Sequence, residues 1–214
     1  MLITNRNRFI KSLFWGSTAL YIGFDACKAS PNSGSNGFGT GDIGLLNFLY
    51  VVEQVQSKFY LQWLSKLQPN TNVSFQSFLT DISLHQLAHC EFYNSALGTN
   101  ALPLIEVDFS TIDFTSNSMV LVIAEKLQNA ELGAYLGIAR YFQSSAFLTI
   151  SQKIASVEAR HASYITGLNN PSSFIDPSLV NNSGIENFQT ISQTLSVFGF
   201  YIKSSLDTNN LPLG

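Results

Sequence analysis

The chain has 214 residues, enough to bury a real core and, on length alone, one domain with extensions or at most two small ones. Hydrophobic residues make up 45% but charged residues only 12%, about half the usual share, which argues against disorder over most of the chain. Eleven Lys and Arg against 14 Asp and Glu give a formal charge of -3. No basic cluster follows the first dozen residues, so nucleic-acid binding is set aside. The two cysteines, Cys27 and Cys90, are too few for a disulfide framework or a thiolate metal site.

At the N-terminus Arg6, Arg8 and Lys11 occur without an acid, and an uncharged apolar run follows from Leu13 to Phe24, closed by Asp25. A cationic start before an apolar run too short to span a bilayer as a helix reads as an export signal over residues 1–26. Asn5 to Lys11 resembles the twin-arginine signal of bacteria, except that Asn7 separates the two arginines. The expected location is the periplasm or cell envelope. Cys27 stands where a bacterial lipoprotein signal carries its lipidated cysteine, the alternative being ordinary cleavage between Ala26 and Ala29. Membrane contact is expected only through such an anchor. Residues 27–41, rich in Ser, Asn and Gly, read as a flexible tether.

From Asp42 to Leu67 apolar residues recur at three- and four-residue steps, the helical period, with Asp42 as the expected N-cap. Pro69 to Asn72 breaks the chain, and a second helix is predicted from about Ser74 to Leu97, ended by Gly98. Gly98 to Phe114 holds Pro103 and the β-prone stretch Ile105 to Phe109, and its length suggests a crossover between helices. A third helix is expected from Thr115 to about Phe142 and a fourth from Ser144 or Ser145 to Leu168, stopped by Pro171. After a loop, Ile185 to Leu206 reads as a fifth helix packed outside the bundle.

Polar residues interrupt the apolar stripes in a pattern. Glu158 and His161, three apart, share a face with Ile154, Ile165 and Leu168 and so point inward. Gln86 and His89 repeat that spacing on the second helix, and Glu53 lies in line with Leu49, Gln56 and Tyr60 on the first. Carboxylate and imidazole pairs on facing helices are how helical bundles hold iron or manganese. A single Glu-x-x-His pair is equally compatible with a surface pair or a satisfied core hydrogen bond. His85 falls off this face, Cys90 reads as a small buried hydrophobe, and Lys126 beside Glu125 suggests that Glu125 and Glu131 face solvent, the alternative being that one of them, three residues either side of Gln128, takes the place of a ligand after a shift.

Ser156-Val157-Glu158-Ala159-Arg160-His161-Ala162-Ser163 is similar to the fourth-helix motif of exported bacterial ferritin-like domain proteins, a group related to plant desiccation-related proteins. Gly133 to Gly137 resembles that group's third-helix Gly-x-x-Ala-Tyr-x-Gly signature with shortened spacing, Leu46 to Tyr60 its first helix, and Leu87-Ala88-His89 its second. The resemblance implies an all-α, ferritin-like, up-down-down-up four-helix bundle over residues 42–170. A long crossover joins helices two and three, and a C-terminal loop and packing helix occupy residues 171–214. It also implies a metal-ligand set at Glu53, Gln86, His89, Gln128, Glu158 and His161. At positions 86 and 128 this chain departs from the family, with an amide where a glutamate is expected.

Two carboxylates cannot balance two divalent ions in a low-dielectric core. The expectation is therefore at most one iron or manganese ion, held by Glu53, His89, Glu158 and His161, or none. The function expected is that of an exported ferritin-like protein with a reduced or lost di-metal centre in a structural, stress-related or binding role. The alternative is an oxidase-type or iron-handling protein with a working centre. The sequence names no substrate or protein partner, and oligomer formation is compatible with it.

Overall fold

The computed structural model describes residues 36–214, so the predicted export signal, Cys27 and most of the tether lie outside the described residues. Four long helices, α1 (Gly41–Ser65), α2 (Val73–Leu97), α3 (Asn117–Ile138) and α4 (Ser145–Asn169), form an all-α bundle, and a short α5 (Ile191–Phe198) packs on α3. Among the described residues there is no β-strand, only three isolated bridges. The four helices follow in the expected chain order with the long crossover between the second and third, α1 and α2 closely packed and α3 and α4 closely packed. No helix among the described residues is long and apolar enough to cross a membrane.

α1 is the axis of the molecule. Every residue from Gly44 to Ser57 is buried, whereas an ordinary bundle helix keeps a wet face. The far side is covered by the crossover, whose Leu102, Ile105, Phe109 and Phe114 lie in the core. Buried amides of α1 fasten it there: Asn47 accepts from Leu102 N and donates to the carbonyls of Phe38 and Asn100, and Gln54 accepts from Ile105 N. These side chains satisfy backbone groups that the irregular crossover would otherwise bury unpaired.

Several local expectations are corrected. Asp42 does not cap α1, whose N-cap is Thr40. Its carboxylate instead accepts from the backbone N–H of Gln143 and Ser144, both at 2.8 Å, at the start of α4, where a negative charge is favoured. The end of the predicted flexible tether is docked, because Phe38 is fully buried and packs against Phe48. The β-prone Val107 makes only an isolated bridge to Ile202. Cys90 is buried as expected, but it is disulfide-bonded and not a simple hydrophobe. Among the described residues no cysteine is free.

The largest miss is the fifth helix, which spans eight residues in place of Ile185 to Leu206. Residues before it run extended across α3 because Gly133 and Gly137 leave room for them. Gln189 N donates to Gly133 O, and a Cβ at Gly137 would lie 1.8 Å from Gln189 O. Only then does Thr190 open α5 with a reciprocal capping box to Gln193. Gly137→Ala is thus expected to push the Gln189 backbone off α3 and lower stability by about 2 kcal/mol or more, measured by thermal or denaturant unfolding. Unchanged stability would contradict the close approach.

Candidate metal centre

The centre is a polar cluster inside the four-helix bundle. Glu53 comes from α1, Gln86 and His89 from α2, Gln128 and Glu131 from α3, and Glu158 and His161 from α4. Glu53, Gln86, Gln128, Glu131 and Glu158 are fully buried, while the side chains of His89 and His161 keep 13% and 9% exposure. The two imidazoles are therefore the points at which the cluster meets solvent.

Glu158 is its hub. Oε1 lies 2.7 Å from His89 Nδ1. Oε2 lies 2.9 Å from His161 Nδ1 and accepts from the amides of Gln86 at 2.8 Å and Gln128 at 2.6 Å. Glu53 approaches the same nitrogen, 3.5 Å from His89 Nδ1, and accepts from the hydroxyl of Tyr135. Glu131 Oε2 accepts from three amides, those of Gln56, Gln86 and Gln128.

The orientation of Gln128 follows from its neighbour. Tyr60 donates to Gln128 Oε1 at 3.0 Å, so the NH₂ end faces the two carboxylates. An amide NH₂ has no lone pair to give a cation. Gln86 likewise turns its NH₂ toward Glu131 and Glu158. The amide NH₂ groups occupy the half of the centre between them, although Gln56 Oε1, Gln86 Oε1 and Glu131 Oε1 there are buried without a partner.

The other half is different. Glu53, His89 and Glu158 each bring one ligand atom within 4.8 Å of the others. His89 Nδ1, Glu53 Oε2 and Glu158 Oε1 are buried and make no well-aligned hydrogen bond, despite the close approach of His89 to Glu158. Buried polar atoms rarely go unpaired. Two carboxylates and an imidazole converge in one small space, and once His89 has given up its proton they match the donor set that suits iron or manganese.

Charge is balanced by protons in the metal-free protein. Burial and the nearby charge of Glu158 raise the Glu53 carboxyl above its ordinary range, although His89 offsets part of that rise. Burial, then the charges of Glu158 and Glu53, raise Glu131 well above it. Burial also opposes ionisation of Glu158, but bonds from His161 and His89 outweigh it and hold this carboxyl below its usual range. For His89 burial disfavours the imidazolium, yet Glu53 and Glu158 prevail and push the group up to about 10.

All six residues singled out in the sequence meet in this cluster, and one member was misjudged. Glu131 is not on a solvent face: it is fully buried and bonded to three amides. Its position three after Gln128 and four before Tyr135 places it on the same helical face as both. Glu125 is half-buried and bonded to Thr166 and Asn169 of α4. His85 was read as lying off the ligand face. It does, yet its Nδ1 lies 3.0 Å from His161 Nε2. Gln56, Tyr60 and Tyr135 complete the surround.

A family model described as the ferritin-like domain matches residues 41–171, from the start of α1 to just past α4. No curated protein matches the chain.

The His89 shift has a sign that can be checked. Its ordinary value is 6.5 and its value in the folded protein about 10. The stabilisation is complete below pH 6.5 and is lost as pH rises through 10. Glu53 and Glu131, raised as well, push the same way above the ordinary carboxylate range. The metal-free protein should therefore unfold at progressively lower temperature between pH 6.5 and 10, and His89→Gln should make the decline shallower. An equally steep decline in the variant would place the cause elsewhere.

Proposed function

Because the chain belongs to the ferritin-like domain family, we propose that it is an exported member whose di-metal centre is reduced to a site for one divalent ion, iron or manganese. Glu53, His89 and Glu158 would hold the ion. The observation that carries this reading is the pair of amides at Gln86 and Gln128, which donate into Glu131 and Glu158 where ligands to a second ion would stand.

Glu131 changes the charge balance drawn from the sequence. Three buried carboxylates, not two, surround the centre, which favours metal handling over a purely structural role. Two divalent ions would still leave one positive charge uncompensated. They would also require Gln86 and Gln128 to abandon their hydrogen bonds in a dry core.

A bound iron or manganese ion supplies Lewis-acid and redox chemistry at this position. The chain's residues prepare the place. Tyr135 fixes Glu53 through its hydroxyl, and His161 and the two amides hold Glu158 from one side so that Oε1 is turned toward His89 and Glu53 on the other. His89 and the raised carboxyls must release protons before they ligate, so affinity should rise with pH over the neutral range. The enclosing tyrosines, with their hydroxyls pushed up by burial and by the carboxylate charges, remain neutral donors.

Titration calorimetry with elemental analysis tests this. Wild type should bind one Mn²⁺ or Fe²⁺ per chain, Glu158→Gln none, and Gln86→Glu with Gln128→Glu two, since the paired change adds two carboxylates with almost no change of shape. Two ions in the wild type would overturn the proposal. Retention of metal by Glu158→Gln would do the same.

The disulfide at Cys90 supports an exported location, because such bonds persist in oxidising compartments. The sequence holds one other cysteine, Cys27, outside the described residues, so pairing within the chain would require it and would leave it no thiol for a lipid. Mass spectrometry of native protein should find a start close to and not after Cys27, with no free thiol. Lipid on Cys27 with a free Cys90 would overturn the bond, and recovery of intact residues 1–24 would overturn the signal.

A further inference from the structure

α2 and α4 are not closely packed along their whole length, and the opening between them forms a groove of about 470 Å³. That volume falls within the range of small-molecule sites. Its inner end is His161, the residue that touches Glu158. Its walls are rings. Phe78 and Tyr164 lie with centroids 4.6 Å apart at 34°, and His85 and His161 are nearly parallel, 5.2 Å apart at 14°. Tyr164 is 50% exposed and Val73 at the outer end 74% exposed, leaving apolar surface in water.

Polar groups in the groove narrow the chemistry. Asp81 and Arg160 both line it, and neither forms an ion pair among the described residues. Their opposite charges give no net preference for an anion or a cation, so a ligand without net charge fits. His85 uses Nδ1 on His161, and its other ring nitrogen makes no hydrogen bond among the described residues, leaving it available to a hydroxyl. Phe78 and Tyr164 spend their facing surfaces on each other, and the aromatic surface they leave to the groove favours a planar ring over a saturated one of the same size.

We propose that this groove binds a small, neutral, planar aromatic compound bearing a hydroxyl group, a phenol. The ring lies against Phe78 and Tyr164, and the hydroxyl meets His85. The proposal names a ligand class for the face through which the centre meets solvent, and in that respect it rests on the function proposed above. Binding itself needs no metal, so the two fail separately.

The test is a calorimetric or NMR titration of metal-free protein with 4-methylphenol, and with 4-methylcyclohexanol as a saturated analogue of matched size. The phenol should bind at millimolar concentration or better, and the cyclohexanol about tenfold more weakly. Tyr164→Leu, a half-exposed position where the change keeps apolar bulk, should weaken the phenol by about tenfold while the protein stays folded with a slightly lower unfolding midpoint from the lost contact with Phe78. Val122→Ala, on the outer face of α3, should leave binding unchanged. Equal affinity for the two compounds would reduce the groove to a general apolar cleft and overturn the proposal. So would phenol binding unaffected by Tyr164→Leu and by Phe78→Leu together, or no binding at millimolar concentration. Because no metal is present, a failure here leaves the metal proposal standing. Phenol binding in a protein that takes up no metal would leave this proposal standing alone.

Discussion

A carboxylate buried without exposure at the middle of four helices is the constraint around which this structure is built. Glu158 carries its negative charge in a place where an isolated charge is prohibitively costly. It is kept ionised by what touches it: His89 on one oxygen, and His161, Gln86 and Gln128 on the other. Those groups come from α2, α3 and α4, and Glu53 of α1 reaches the same His89. The register of the helices is thereby tied to one side chain. Slippage of any of them would strand a buried charge.

The second layer holds the first in orientation. Tyr60 sets which end of Gln128 faces inward, Tyr135 positions Glu53, and Gln56 joins the two other amides on Glu131. These partners all lie on α1 or α3, the helices whose burial is most complete around the centre. α1 is enclosed because the crossover covers it, and α3 because the segment at Gln189 and α5 cover its glycine-marked face. What look like accessories to a four-helix bundle, the crossover and the C-terminal segment, are what exclude water from the side of the cluster opposite His89 and His161. The amides at positions 86 and 128 turn their NH₂ groups into one half of the ligand cage, and they leave Glu53, His89 and Glu158 converging in the other.

Much of this was legible in the sequence. The apolar period gave the four long helices to within a few residues, and three-residue spacing put Glu158 with His161 and Gln86 with His89 on inward faces. Glu131 escaped because a face was assigned from its flank, where Lys126 suggested water. α3 is buried over a wider arc than its apolar stripe implies, since the C-terminal segment covers it. The same long-range contact shortened α5, whose apolar residues fit a helix well until Gly133 and Gly137 offered the extended chain a closer seat. Asp42 and Phe38 were misread for a related reason: each is used by a partner about a hundred or ten residues away, Gln143 and Phe48, and local pattern carries no trace of either. The disulfide at Cys90 has no local signature at all.

The most direct test of the account is a crystal structure of the protein grown with Mn²⁺ and measured with anomalous scattering. A single peak coordinated by Glu53, His89 and Glu158, with Gln86 and Gln128 still donating to Glu131 and Glu158, is the predicted result. A second peak between Gln128, Glu131 and His161 would contradict it, since the amides would then be no barrier to a full di-metal centre.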